Sequence, residues 1–178
     1  MKYNWNSFPK YIIDCGKLSE PYDLCKIFKH YKIDKYVYEF VFDNAIKVKT
    51  GMSAAKSRSR ILGERVYRQL AHAYSWGSHL RIDGSSGADW LVIERDFEHE
   101  YGIKLDHRKL TLVIWDVTNY NFKSCQPFKE VEDMESERID EHIKLTGRKP
   151  IGNINDEANK RNRYYVPKQL VENLLGWS

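Results

Sequence analysis

The segment from residue 35 to residue 50 constrains the fold more than any other part of the chain. Its two halves, "KYVYEFVF" (35–42) and "AIKVKT" (45–50), are rich in β-branched and aromatic residues, and only Asp43-Asn44 separates them. Two such runs joined by two residues predict a β-hairpin. Parallel strands need a much longer crossover between them, so this hairpin predicts a sheet that is mainly antiparallel.

The residues after the hairpin predict helices and one more strand. Ser53 is a suitable N-cap for a helix to about Tyr74, and apolar residues recur at helical spacing within that span. A second helix is expected over 88–101, a strand in "KLTLVIWDV" (109–117) and a helix from Pro127 to about Leu145. The order β-β-α-α-β-α predicts an α+β fold with a three-stranded, mainly antiparallel sheet flanked by helices.

The remaining segments lie before and after this core in the sequence. Residues 1–34 are interpreted as an N-terminal arm with a short helix near Tyr22–Tyr31, and 35–155 as the core domain. Residues 156–178 are interpreted as a basic C-terminal tail with a short helix at 167–175.

Length and composition indicate a folded domain. A chain of 178 residues with 13% aromatic residues can bury a sizeable core. No apolar run approaches the ~20 residues of a membrane-spanning helix, so no membrane association is expected. The three cysteines form no CxxC pair, which favours reduced thiols and a cytoplasmic location over a disulfide framework or a zinc site.

Charge is distributed unevenly along the chain. Residues 44–81 carry eight Lys/Arg and one acid, and 147–169 carry six Lys/Arg and two acids. The intervening 82–141 carries fifteen acids and seven Lys/Arg. Two separate basic segments are expected of a chain that contacts a polyanion such as double-stranded DNA, although solvated helix faces produce similar counts.

Three short motifs resemble those of the GIY-YIG nuclease family. Tyr36-Val37-Tyr38 stands where the family has Gly-Ile-Tyr, and Lys49-Thr50-Gly51 stands where it has Tyr-Ile-Gly. Pro150-Ile151-Gly152-Asn153 has the form of the family's Pro-x-x-Asn signature, and the order of elements also agrees. The first glycine and the second tyrosine of the family pattern are replaced by Tyr36 and Lys49. The lysine resembles a branch that contains small restriction endonucleases.

The resemblance implies a metal-dependent hydrolysis of phosphodiester bonds. Tyr38 is the expected general base, and Lys49 is expected to favour the phenolate form of Tyr38. Tyr36, on the same strand face, is the alternative tyrosine. Arg60 is expected to grip the phosphate because it follows Gly51 by nine residues, and Arg58 is its competitor.

A glutamate on the last core helix is implied as the ligand of Mg²⁺, with Mn²⁺ as a substitute. Glu135 is favoured because Val131 and Ile139 lie four residues to either side, and Glu137 and Glu141 remain alternatives.

Other residues are expected to contact DNA or to support the site. Gly51 is expected to let the backbone turn beneath the phosphate, and Asn153 is expected to hold the distal turn against the sheet. The predicted DNA-contacting residues are Gly51, Lys56, Arg58, Arg68, Lys160, Arg161 and Arg163.

The sequence therefore predicts a sequence-specific DNA endonuclease of the type II restriction kind. One small site per chain would have to act on two strands, so a homodimer is expected. The rival hypotheses are a phage or repair nuclease of low specificity and a non-catalytic nucleic-acid-binding protein. A third hypothesis is a PD-(D/E)xK nuclease that uses Asp89, Glu94 or Asp96. It is disfavoured because no acid-x-lysine pattern follows a suitable strand in this part of the sequence.

Overall fold

Four antiparallel strands form one sheet at the centre of the molecule. A computed structural model describes residues 1–54, 61–74 and 86–153. The strands are β1 (Lys10–Asp14), β2 (Tyr36–Phe42), β3 (Ile46–Ser53) and β4 (Leu110–Asp116). They lie in the order β1-β4-β2-β3, so β1 and β3 form the two edges.

Four α-helices accompany the sheet in the described residues. They are α1 (Asp23–Tyr31), α2 (Glu64–Tyr74), α3 (Ser86–Tyr101) and α4 (Pro127–Thr146). The predicted α+β class and the antiparallel hairpin are confirmed. Asp43 and Asn44 both adopt positive φ, at 50° and 54°, as the right-handed twist of a two-residue hairpin demands.

Two sequence predictions about these elements are wrong. The sheet has four strands rather than three, because "KYIID" in the predicted arm pairs with β4 and α1 adds Leu24 and Phe28 to the core. Ser53 does not cap a helix: it ends β3, paired with Tyr36, and α2 begins at Glu64. Residues 55–60 and the predicted helix at 167–175 lie outside the described residues.

The two faces of the sheet carry separate hydrophobic cores. One core joins the sheet to α1, α2 and α3 through residues that include Phe28, Phe40, Leu70, Trp90 and Phe97. The other core lies beneath α4 and the N-terminal residues and includes Trp5, Val37, Met52, Trp115 and Met134. Within the ranges described, no helix combines the length and apolar character that a bilayer span requires.

A buried charge network links the sheet to α4. Glu39 on β2 is only 2% exposed, and its carboxylate forms ion pairs with Lys47 on β3 and with Arg138 on α4. Arg138 Nε lies 2.6 Å from Glu39 Oε1, and Trp115 Nε1 donates to the same oxygen at 3.1 Å. Burial raises the pKa of Glu39, but the two cations outweigh burial and leave that pKa below its usual value.

Arg138 is held in place from both sides. Its guanidinium lies over the rings of Trp115 and Trp5, at 4.9 Å and 5.2 Å from the centroids. Trp5 is in turn fixed by a hydrogen bond from its Nε1 to Glu137 on α4, at 2.8 Å. The N-terminal residues therefore help to hold α4 against the sheet.

Replacing Glu39 with glutamine should destabilise the protein by about 3–5 kcal/mol, because Lys47 and Arg138 become buried charges without a counter-ion. Since the folded pKa of Glu39 is lowered, its contribution is present above the unfolded pKa and is lost as pH falls through the folded value. Urea denaturation at several pH values measures both effects. Asp34→Asn, which breaks an exposed pair with Lys35, is the control and should cost less than ~1 kcal/mol. An equal cost for both variants would contradict this description.

Candidate active site at the edge of the sheet

Tyr38 on β2 lies directly over Gly51 on β3. The two residues are cross-strand partners, and a Cβ added to Gly51 would stand 2.3 Å from both Cζ and Oη of Tyr38. No real Cβ approaches another heavy atom so closely, so only glycine fits at position 51 with this tyrosine. The absence of a side chain at Gly51 brings the Tyr38 hydroxyl to the edge of the sheet.

Gly51 does not serve the purpose expected from the sequence. It lies inside β3 rather than in a turn between a strand and a helix, and its φ is not among the positive values. The close approach of the Tyr38 ring, not a tight backbone turn, is the reason for glycine at this position.

Arg65 and Glu135 approach Tyr38 from two helices. Burial is the dominant influence on Tyr38 and raises the pKa of its phenol above the ordinary value. The Arg65 guanidinium on α2 hydrogen-bonds the phenol and lowers that pKa, while Tyr36 and the Glu135 carboxylate on α4 raise it. One phenol, one cation and one carboxylate from three different elements therefore lie together.

The arginine at this position was missed by sequence reasoning. The prediction favoured Arg60, nine residues after Gly51, with Arg58 as its competitor; both arginines lie outside the described residues. A signal for the later helix start is present in Gly63-Glu64, a chain reversal followed by an acid suited to a first helical turn. Arg65 follows Glu64 directly and, although the residue is exposed, its guanidinium reaches the Tyr38 phenol.

Lys49 is a buried cation on the same face of the sheet. It pairs with Phe40, so it lies diagonally from Tyr38 on the neighbouring strand, a relation that places Cα atoms ~7–8 Å apart. The residue is 8% exposed, and within the described part of the chain it makes no ion pair with a carboxylate. Lys49 is therefore a cationic residue with low exposure and no carboxylate partner in the described part of the chain.

The segment Pro150–Asn153 covers Lys49. A Cβ on Gly152 would lie 2.9 Å from Lys49 Cβ and 2.8 Å from the Val48 carbonyl oxygen. The backbone at Gly152 therefore packs against the aliphatic stem of the lysine. This contact shields the stem from solvent.

Asn153 binds the backbone of β3 on both sides of Thr50. Its Oδ1 accepts from Thr50 N, and its Nδ2 donates to Thr50 O, each at 2.8 Å. β3 is an edge strand, so these backbone groups have no further strand to pair with. Asn153, only 1% exposed, takes the place of that strand and makes the contact expected of a structural residue.

Tyr36 is as fully buried as Tyr38, each with 1% of its surface exposed. The two rings share a face, 6.2 Å apart, and burial raises the pKa of Tyr36 to about 12. Its hydroxyl is near Ser53 and Val66, yet it makes no hydrogen bond of normal geometry with the described residues. Tyr36 therefore supports Tyr38 through packing, whereas Tyr38 reaches the charged groups.

The other candidate residues have different surroundings. Glu137 accepts hydrogen bonds from Tyr3 N at 3.3 Å and from Trp5 Nε1, so it anchors the N-terminal residues rather than facing Tyr38. Glu141 is half-buried on the same helix. Arg68 is exposed on α2 and pairs with Glu64 at 2.5 Å. The remaining predicted DNA contacts, at Lys56, Lys160, Arg161 and Arg163, lie outside the described residues.

The carboxylate at this site suits a hard cation that keeps most of its water. The described residues contain no cluster of three histidines, cysteines or carboxylates. Mg²⁺ can be held by one carboxylate with several waters, and half-buried Glu135 beside a tyrosine hydroxyl offers such oxygen ligands. The residues present therefore fit a magnesium ion with Glu135 as the protein ligand.

Comparison of the chain with protein-family models, with curated protein sequences and with solved structures finds no match.

The close approach of Gly51 and Tyr38 can be measured by a double-mutant cycle. Gly51→Ala should cost about 1–3 kcal/mol because the new methyl group collides with the phenol ring. In a Tyr38→Val background the same change should be neutral or stabilising, since alanine restricts the unfolded chain more than glycine. Urea denaturation of the four proteins gives the coupling energy. An equal cost of alanine in both backgrounds would contradict the geometry.

Proposed function

We propose that the chain is a DNA endonuclease and that the edge of the sheet at Gly51 is its active site. The observation that carries the proposal is Lys49, a lysine that is 8% exposed and has no carboxylate partner among the described residues, on the strand face that holds Tyr38. Arg65 and Glu135 complete the group around that phenol. These groups can bind a phosphate, accept a proton from water and hold a metal ion, which are three functions that serve phosphodiester hydrolysis.

Each residue has a separate role in this reaction. Lys49 and Arg65 bind the non-bridging oxygens of the phosphate, the arginine through its planar fork. Tyr38 accepts the proton of the attacking water, and Arg65 favours the phenolate that must form first. Mg²⁺ bound at Glu135 supplies charge neutralisation at the phosphate and at the leaving oxygen.

The resemblance of the motifs supports the restriction-enzyme subclass. The Lys49-Thr50-Gly51 motif, with lysine in place of tyrosine, lies on the strand that contacts Tyr38. The order of hairpin, two helices, strand and helix also agrees with that family. We propose double-stranded DNA as the substrate, cut at a specific sequence by a homodimer in the cytoplasm.

The test is cleavage of a mixed-sequence DNA duplex with Mg²⁺ by wild type and by single variants. Tyr38→Phe, Lys49→Met and Glu135→Gln should each lower the cleavage rate by about 10²–10⁴-fold, because each removes a group that acts on the reacting phosphate. The matched control is Glu132→Gln, an exposed glutamate three residues before Glu135 on α4, which should retain activity.

Binding measurements on the same variants separate chemistry from affinity. Glu135→Gln should bind the duplex as tightly as wild type while leaving it intact. A wild-type protein that shifts DNA without cutting it would favour the rival non-catalytic binding function. Cleavage that survives Glu135→Gln would contradict the assigned ligand.

The dependence of the cleavage rate on pH tests the role of Tyr38. Because burial raises the pKa of Tyr38, the reactive phenolate is a minor species at neutral pH, and its population grows as pH rises. The rate should therefore increase steadily between about pH 6 and 9, by up to ~tenfold per unit. Arg65→Gln should lower the rate throughout this range, because it removes a cation that favours the phenolate. A wild-type rate that is independent of pH would contradict a tyrosine base.

A further inference from the structure

The outer edge of β1 is a short strand with a self-complementary sequence. β1 is the edge opposite to β3, and β4 is its neighbour on the inner side. Pro9 O accepts a hydrogen bond from Asp116 N. Because the backbone groups of a strand point alternately to either side, the residues that bond to β4 are every second residue counted from Pro9. The N–H and C=O groups of Lys10, Ile12 and Asp14 therefore point away from the sheet.

The side chains along this edge match a second copy of themselves. In an antiparallel pairing centred on Ile12, each Lys10 stands opposite Asp14 of the other copy, and Ile12 stands opposite Ile12. A parallel pairing would instead place lysine against lysine and aspartate against aspartate. The charges of Lys10 and Asp14 therefore favour the antiparallel pairing centred on Ile12.

An exposed apolar residue lies at the centre of this pattern. Ile12 is 67% exposed although it belongs to a strand, and Lys10 and Asp14 beside it are also exposed. On the other face, Tyr31 is 49% exposed and stacks on Tyr11 with ring centroids 4.6 Å apart. Apolar groups therefore lie on both faces of the sheet beside this edge, which pairs with no other strand in the part of the chain that the structure describes.

We infer that β1 is a dimerisation edge, at which two copies of this chain pair antiparallel around Ile12 and join their sheets into one. Backbone hydrogen bonds between Ile12 of the two copies, and between Lys10 and Asp14, hold the strands together. A ladder of five residues is small compared with most permanent interfaces, so the dimer forms reversibly, at roughly micromolar concentrations.

This edge is far from the candidate active site. β3 remains at the outer edge of each copy, so the pairing of β1 leaves the surroundings of Tyr38, Lys49 and Glu135 unchanged. The pairing gives a surface to the homodimer of the proposed function but does not depend on its chemistry. A monomeric protein would contradict this interface but not the proposed chemistry. An inactive dimer would contradict the chemistry but not the interface.

Sedimentation velocity over a range of concentrations, with the intact chain, tests the interface. Wild type should pass from monomer to dimer as its concentration rises. Ile12→Pro should remain monomeric at concentrations where wild type is dimeric, because it removes an outward N–H that β4 does not use. Unfolding curves of the variant confirm that the fold is retained.

A charge exchange provides the sharper test. Lys10→Glu alone and Asp14→Lys alone should each weaken the dimer at least ~10-fold, because like charges then face each other across the pair. An equimolar mixture of the two variants should form a heterodimer, in which both pairs are again opposite in charge. A monomeric wild type, a dimer unaffected by Ile12→Pro, or a mixture that stays monomeric would each overturn the interface.

Discussion

The ion pairs of Glu39 connect the three elements on which the candidate site depends. Its carboxylate, buried on β2, binds Lys47 on β3 and Arg138 on α4. A buried carboxylate must keep its partners, because the free energy of leaving it alone is large. The contacts therefore fix where α4 lies against the hairpin. Glu135 is three residues before Arg138 on that helix, so its position beside Tyr38 follows from the same contacts.

On the opposite face of the sheet, the contacts of the edge strand β3 depend on two absent groups, a side chain and a neighbouring strand. Gly51 has no side chain, so the Tyr38 ring occupies the space, and Thr50 has no neighbouring strand, so Asn153 binds its backbone. With the Tyr38 ring over Gly51 and Asn153 bound to Thr50, Lys49 is buried between β2 and Gly152. A phenol, a lysine and a carboxylate are thereby brought near this edge of the sheet, with the phenol and the lysine both buried.

Local patterns predicted the hairpin and α4, because each follows from residues close together in sequence. The choice of Glu135 as a metal ligand stays a prediction. β1 was not predicted, since five residues become a strand only when β4 lies beside them. Ser53 was assigned to a helix because it is a good N-cap, but pairing with Tyr36 keeps it in β3. Arg65 was not predicted, because the nine-residue spacing from Gly51 that the resemblance implies points to Arg60. Each error concerns a long-range contact that periodicity does not report.

The most direct measurement is incubation of the purified wild-type protein with mixed-sequence duplex DNA, with Mg²⁺ and with EDTA, followed by gel electrophoresis. The account predicts discrete fragments that form with Mg²⁺ and disappear with EDTA. A smear dependent on Mg²⁺ would preserve the chemistry and exclude sequence specificity. DNA that stays intact with Mg²⁺ at every protein concentration would contradict the assignment of this edge as a nuclease active site.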